Sequence, residues 1–299
     1  MALLNPPELR ASTMSIIVYY LAQRRGQRDE HARIIDAVSP PSLTESPEKH
    51  QLDATRNLTS VVEIGLAKRD SDRVELSSES TKAAKEGSSA IAALIRQRVL
   101  SEDLNTSPWG SQEGARDLTN ALAWFLTFGS TSAPARMEGD PPSAKSLQEV
   151  DFGARHSDDD DASGWPISNS TRWIAFQRWA CSLGFAWRSP SGRLVPDPTP
   201  AVRDSIPSIF ENKSTLDGET FVAALGKQLP VLESGAYRRF VEENWRRTPE
   251  SSGALSAATT DALRRLESSG YLNFENRADA PRVSRADGST FSHVSKGRE

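Results

Sequence analysis

The sequence is poor in the residues that carry most redox and metal chemistry. Its 299 residues include a single cysteine, Cys181, and four histidines that lie far apart, His31, His50, His156 and His293. A single cysteine excludes intramolecular disulfides and zinc sites built from several cysteines. No histidine pair has the short spacing of paired metal ligands, so a metal site or a catalytic triad would have to be assembled entirely by the fold. We therefore predict no catalytic residues, no metal and no cofactor.

Long apolar runs and sequence motifs for catalysis are also missing. The longest apolar candidate, 14–22, is interrupted by Ser15 and is far shorter than the roughly 20 residues that span a bilayer. The first residues lack a basic start followed by an apolar core, so we expect no export signal, no membrane association and a cytoplasmic location. The chain contains no phosphate-binding loop, no dinucleotide-binding glycine motif and no nucleophile elbow. Together these absences predict a protein that is not an enzyme.

The charge balance is slightly acidic and uneven. The formal net charge of −4 counts against a general nucleic-acid coat protein, because phosphate neutralisation supplies non-specific affinity. It leaves room for a local basic surface, and the stretch 236–299 is rich in arginine. Four consecutive aspartates occupy 158–161, without the alternating ligands, glycine and glutamate of a calcium loop. We interpret that run as part of a solvated loop.

The most informative stretch is 171–198. Apolar residues three and four apart predict a helix over 171–183, and Gly184 can adopt the left-handed conformation that ends it. Two short apolar segments, 185–187 and 194–196, then flank a Ser-Pro-Ser-Gly turn, which is typical of a β-hairpin. Helix, glycine and hairpin in this order indicate the second half of a winged helix-turn-helix.

The same order of signals occurs twice more. A helical pattern at 52–64 leads into Gly65, and one at 255–266 is followed by Gly270, each before a short strand pattern. The spacing of the three glycines is irregular, which excludes a solenoid of fixed period. The predicted fold is mainly α with small β-hairpins (α+β), in tandem winged helix-turn-helix units that resemble the winged-helix superfamily.

Length and 37% hydrophobic content allow two or three modest cores. We expect an N-terminal winged-helix domain, a central domain with a polar, Asp-rich insertion, a C-terminal winged-helix domain and a mobile tail. Their predicted bounds are 1–104, 115–210 with the insertion at 130–164, 215–288 and 289–299.

Basic residues on the three glycine-terminated helices are candidate contacts to DNA. In helix-turn-helix proteins the second helix of the motif lies in the major groove, and arginine and lysine suit phosphates and base edges. The same residue types suit a solvated helix face equally well. The candidate nucleic-acid-binding residues are Lys49, Arg56, Arg172, Arg178, Arg264 and Arg265.

One short pattern imitates a nuclease. Pro196-Asp197, followed by Glu211 and Lys213, resembles the signature in which two carboxylates hold a divalent ion and a lysine lies near the attacking water. That chemistry needs the carboxylates on adjacent strands. Here Asp197 ends a hairpin and Glu211 is predicted in a loop, so a metal-dependent nuclease is kept only as an alternative.

Several segments resemble one protein family more narrowly. The segments 4–7 (LNPP), 176–180 (FQRWA), 183–186 (LGFA) and 195–199 (VPDPT), together with Arg203, are similar to the DpdG proteins. Those proteins are encoded in bacterial clusters that insert 7-deazaguanine bases into DNA and restrict unmodified DNA. The resemblance implies a context of DNA modification and phage defence, and it supplies no catalytic motif.

Two non-enzymatic hypotheses remain open at this point. The chain could bind double-stranded DNA, or it could be a scaffold or adaptor whose winged helices contact only other proteins of a modification-restriction complex. Seven tryptophans permit the second, because exposed tryptophan is enriched at interaction hot spots. They are Trp109, Trp124, Trp165, Trp173, Trp179, Trp187 and Trp245. The sequence leaves open whether the chain forms a homo-oligomer.

Overall fold

The computed structural model describes residues 2–43, 45–106, 114–154, 164–246 and 253–297. Within these ranges the chain forms twelve α-helices and ten short strands, and all the paired strands are antiparallel. The prediction of a mainly α fold with small β-hairpins is confirmed. Among the described residues, no helix combines the length and apolar character needed to cross a bilayer.

The N-terminal elements build one small sheet against three helices. They are α1 (Ala11–Ala22), β1 (Arg28–Glu30), α2 (His31–Val38), α3 (Pro47–Glu63), β2 (Ala67–Asp70) and β3 (Arg73–Leu76). The strand order is β1-β3-β2, so the first strand pairs with the last. Apolar stripes of the helices and of β3 meet in the core, where burial of each large side chain contributes about 1.5–3 kcal/mol. Examples of these buried side chains are Ile17, Leu21, Ile34, Leu58 and Val74.

The three glycines predicted to end helices do so with the same geometry. Gly65, Gly184 and Gly270 have φ values of 76°, 76° and 77°, which side chains other than glycine rarely adopt. In each case the following residue donates its N–H to the carbonyl five residues earlier, as Leu66 does to Val61 at 3.0 Å. This is the Schellman arrangement, which satisfies the last carbonyls of a helix and turns the chain into a strand.

The central elements surround an almost wholly buried helix. They are α4 (Ser78–Glu86), α5 (Ser88–Val99), α6 (Arg116–Phe125), α7 (Ala144–Phe152), α8 (Ser170–Ser182), β4 (Ala186–Arg188) and β5 (Leu194–Pro196). Phe125 of α6 makes edge-on contacts with Trp173 and Phe176 of α8. Within the described ranges, the hairpin β4-β5 has no third strand.

The predicted insertion 130–164 is only partly irregular. Ser143 caps α7, and Asp151 on that helix accepts a hydrogen bond from the indole N–H of Trp124 at 2.8 Å. Gln148 bonds both the N–H and the carbonyl of Ile167, which holds α7 against the chain that leads to α8. This part of the insertion is therefore packed structure. The aspartate run 158–161 lies outside the described residues.

The C-terminal elements repeat the N-terminal order with additions. They are α9 (Thr199–Phe210), β6 (Thr215–Asp217), α10 (Gly218–Gln228), α11 (Ala236–Glu243), α12 (Ala257–Ser268), β7 (Leu272–Glu275), β8 (Val283–Ser284), β9 (Thr290–Phe291) and β10 (His293–Lys296). The strand order β6-β10-β7 again pairs the first strand with the last. Helix α9 packs against α10 and α12. The predicted domain boundary between 210 and 215 therefore falls between α9 and the two helices on which it packs. The polar residues after Phe210, which predicted a linker, form a tight turn.

The predicted mobile tail, 289–299, is wrong over its described part. Strand β10 lies in the centre of the C-terminal sheet, between β6 and β7. Phe291 and Val294 are fully buried there. The segment has few apolar residues, so its sequence gives only a weak strand pattern. The strand is stabilised by hydrogen bonding to a neighbouring strand on each edge.

Candidate nucleic-acid interface

Helix α3 presents one continuous stripe to solvent. Its buried face carries Ala54, Leu58 and Val61, which pack into the N-terminal core. The opposite stripe follows the spacing of three and four residues that places side chains in line on a helix. Its members are exposed or half-buried, and they are Lys49, Leu52, Arg56, Thr59 and Glu63.

The segment that precedes α1 is fixed along the edge of this stripe. The buried Asn57 side chain accepts the N–H of Arg10 at 2.9 Å and donates to the carbonyl of Glu8 at 3.1 Å. The carboxylate of Glu8 also lies 3.6 Å from the guanidinium of Arg56. Residues 8–10 therefore run beside α3 with their backbone held by a side chain of that helix.

Helix α8 borders the same segment from the other side. Its exposed positions, Thr171, Ile174, Arg178 and Ser182, again follow the three and four spacing. The guanidinium of Arg178 donates to the carbonyl of Pro7 at 3.4 Å. The N-terminal segment thus lies between the exposed stripes of α3 and α8 and joins them into one surface.

Three arginines converge where these elements meet. Arg178 contacts Pro7, three residues before Arg10, and Arg188 on β4 donates to the side-chain oxygen of Gln177, the neighbour of Arg178 in α8. Burial lowers the pKa of Arg178, and the positive charges of Arg10 and Arg188 lower it further. In the part of the chain that the structure describes, no carboxylate forms an ion pair with any of the three. We call Arg10, Arg178 and Arg188 the Arg10 cluster.

The structure places the predicted basic residues in very different surroundings. Lys49 and Arg56 lie on the α3 stripe, and Arg178 joins that surface through the N-terminal segment. Arg172 is only 6% exposed, and its charge acts on the carboxylate of Asp117 on α6. The prediction that Arg172 contacts DNA is wrong, because its position on α8 faces the core.

Arg264 and Arg265 are exposed, and each has an acidic partner. Arg264 bonds Asp287, and this ion pair holds the pKa of Asp287 well below its ordinary range. Arg265 lies 2.7 Å from the carboxylate of Asp197, the residue that precedes α9. A phosphate would have to compete with these carboxylates for the two arginines. Arg264 and Arg265 are therefore less suited to bind a phosphate than the arginines of the Arg10 cluster.

Two members of the Arg10 cluster were not among the sequence predictions. Arg10 lies in an irregular segment and Arg188 on a three-residue strand, so neither belongs to a helical pattern that points to DNA. The sequence contains no signal that would bring them together, because their proximity depends on how the N-terminal segment crosses α8.

The proposed nuclease residues do not form a metal site. Asp197 precedes α9, whereas Glu211 and Lys213 follow it, so the 12 residues of the helix separate them by about 18 Å. Asp197 accepts a hydrogen bond from the N–H of Thr199 at 3.1 Å and pairs with Arg265. Among the described residues, no group of three His, Cys, Asp or Glu side chains is placed to hold a metal ion. These three residues cannot share one ion, so the nuclease hypothesis is wrong for this set.

The profile of the DpdG-like family matches residues 1–280. No curated protein and no solved structure gives a significant match. The family match agrees with the resemblance carried by the segments 4–7, 176–180, 183–186 and 195–199, and it associates the chain with bacterial systems of DNA 7-deazaguanine modification. The chain belongs to the DpdG-like family.

Proposed function

We propose that the protein is a non-enzymatic, DNA-contacting subunit of a bacterial 7-deazaguanine modification-restriction system. The observation that carries the proposal is the repeated order of helix, strand, helix, helix and two strands in 11–76 and 199–296. In both, the first strand pairs with the last, and the C-terminal copy adds α11 and the β8-β9 pair. We infer that each copy is a winged helix. The β2-β3 hairpin is the wing of the N-terminal copy, and the chain after β7, which includes the β8-β9 pair, is the wing of the C-terminal copy.

Of the two copies, the N-terminal one has the helix surface better suited to contact DNA. In helix-turn-helix proteins the second helix of the motif lies in the major groove, and α3 and α12 hold that position here. The α3 stripe offers Lys49 without an acidic partner among the described residues. On α12, Arg264 and Arg265 are both ion-paired.

The second candidate function is a protein adaptor. Ile174 on α8 and Trp187 on β4 are large apolar side chains that remain 45% and 44% exposed. Exposed tryptophan is enriched at protein interaction hot spots, so these two residues favour a protein partner from the same system.

The test is binding of the purified chain to a fluorescent duplex across a salt series, beside a duplex of the same sequence that contains 7-deazaguanine. We expect affinity to fall steeply as salt rises from about 50 to 200 mM, because phosphate contacts release counterions. A difference between the duplexes would show that the protein senses the modification. Absence of binding at low salt would overturn the DNA-contacting role and leave the adaptor.

Two single lysine variants test whether α3 contacts the DNA. Replacing Lys49 with alanine should reduce the slope of log affinity against log salt by about 0.9, the value for one phosphate contact. Lys82→Ala is the matched control, because Lys82 is an exposed lysine on α4 that pairs with Glu86. Equal slopes for the two variants would exclude Lys49 from the interface.

A further inference from the structure

The three positive charges of the Arg10 cluster have no ion-pair partner among the described residues. Among the described residues, the side chain of Arg178 donates a hydrogen bond to the carbonyl of Pro7, and that of Arg188 donates one to the side-chain amide of Gln177. Positive charges in one region repel each other, and a bound anion offsets that repulsion. Guanidinium groups present paired N–H donors that match the oxygens of a phosphate.

We propose that the Arg10 cluster is a binding site for backbone phosphates of the DNA that α3 reads. The inference rests on the proposed function and deepens it, because it assigns a second contact outside the winged-helix elements. Its members come from the N-terminal segment, α8 and β4. The site therefore spans the N-terminal and central parts of the chain.

The N-terminal segment connects the cluster to the side of α3. A helix with its side chains is about 10–12 Å across, and the major groove is about 12 Å wide. A residue beside a helix that fills the groove therefore meets the phosphates at the groove edge. Asn57 holds the backbone of Arg10 against α3, and Arg178 lies next to that segment.

The site is also built on anchored elements. Leu3 and Leu4 are fully buried, and the indole N–H of Trp179 donates to the carbonyl of Leu3 at 3.1 Å. The N-terminal segment is thus attached to α8 on one side and to α3 on the other. The backbone that carries Arg10 and Arg178 is therefore already ordered before a phosphate binds.

The test compares two double variants in the same duplex salt series. In Arg178→Gln/Arg188→Gln, two contacts are removed, so the slope of log affinity against log salt should fall by about 1.8, and affinity at about 0.1 M salt should fall about 60-fold. The control is Arg33→Gln/Arg203→Gln, which removes two exposed arginines that pair with Glu30 and Asp204. The control should change the slope by less than about 0.5.

Two further variants separate binding from folding. Arg10→Gln should lower the slope by about 0.9 without unfolding the chain, because its exposed side chain makes no bond among the described residues. Arg178→Lys/Arg188→Lys keeps the charges and should retain most of the slope.

The outcomes distinguish the inference from the proposed function. If the wild-type protein binds the duplex and Arg178→Gln/Arg188→Gln binds with the same slope, the phosphate site is overturned and the proposed function stands. Equal losses in the test and control pairs would also overturn the site, since general charge would then explain them. A wild-type protein that does not bind DNA would overturn both.

Discussion

Replacing Glu233 with alanine is expected to lower the free energy of unfolding by about 3–5 kcal/mol, the cost of breaking a buried ion pair from one side. Glu233 lies 3.3 Å from the guanidinium of Arg238 on α11. Arg238 is only 1% exposed; it also donates to the carbonyl of Leu126 at 3.1 Å and lies 3.8 Å from the partly exposed carboxylate of Glu242. Without the Glu233 carboxylate, the buried positive charge keeps the more distant Glu242 as its acidic neighbour among the described residues.

Glu233 also fixes the start of α12. Its carboxylate accepts the N–H of Ser256 at 2.8 Å and the hydroxyl of Thr259 at 2.6 Å. These bonds join the chain before α11 to the start of α12. The alanine variant should therefore lose order at α12 as well as global stability.

Urea unfolding of the Glu233→Ala protein measures the effect, with Glu243→Ala as the control. Glu243 is an exposed carboxylate on α11, so its removal should change the free energy of unfolding by less than about 0.5 kcal/mol. Similar unfolding midpoints for the two variants would show that the buried pair contributes little.

The pH dependence of the same effect has a definite sign. Burial acts to raise the pKa of Glu233, but the charge of Arg238 and the bonds from Ser256 and Thr259 outweigh it, and the pKa is lowered. A carboxyl with a lowered pKa in the folded state stabilises the protein above its unfolded pKa of about 4.3 and loses that contribution as the pH falls. The difference between wild type and Glu233→Ala should therefore shrink below about pH 4.

The sequence predicts the helix ends better than it predicts the strands. Gly65, Gly184 and Gly270 mark local events, because a left-handed residue after an apolar helical pattern ends the helix whatever lies around it. Strand β10 depends on two neighbours that are distant in sequence, β6 and β7. Its own residues carry too little pattern to predict it.

In the candidate site, too, some residues could be predicted from the local sequence pattern and others depend on the fold. Lys49 and Arg56 could be placed on an exposed stripe because the apolar positions of α3 define its buried face. Arg172 could not be excluded, because α8 contacts protein on several sides and its buried arc is wide. The acidic partners of Arg264 and Arg265 lie on other elements, so only the folded chain shows that these charges are neutralised.

The largest effect on the N-terminal segment is expected from Asp117. Its half-buried carboxylate accepts the N–H of Leu3 at 3.0 Å and the N–H of Leu4 at 2.6 Å. Asp117→Ala should leave both N–H groups unsatisfied, at a cost of about 1–3 kcal/mol each. The segment should then detach from α6 and α8.

The Asp117→Ala variant should also report on the Arg10 cluster. Detachment of residues 3–4 loosens the segment that places Arg10 beside Arg178, so the salt slope of duplex binding should fall although no basic residue has changed. Val150→Ala is the control, because that exposed α7 residue carries no charge and lies outside the α3 stripe. An Asp117→Ala protein that is destabilised but keeps the wild-type slope would separate the anchor from the cluster.

The titration of Asp117 runs in the opposite sense to that of Glu233. Burial raises the pKa of Asp117, against the opposing effect of the backbone N–H groups of Leu4, Leu3 and Leu118. The folded protein therefore holds this proton more tightly than the unfolded chain, and the stabilisation is complete below the unfolded pKa of about 3.9 and declines as the pH rises through the folded pKa. Unfolding of wild type and Asp117→Asn should show a stability difference that decreases from about pH 4 upward. A difference that grows with pH would mean that the N–H groups of Leu3 and Leu4 bind the charged carboxylate more strongly than burial disfavours it.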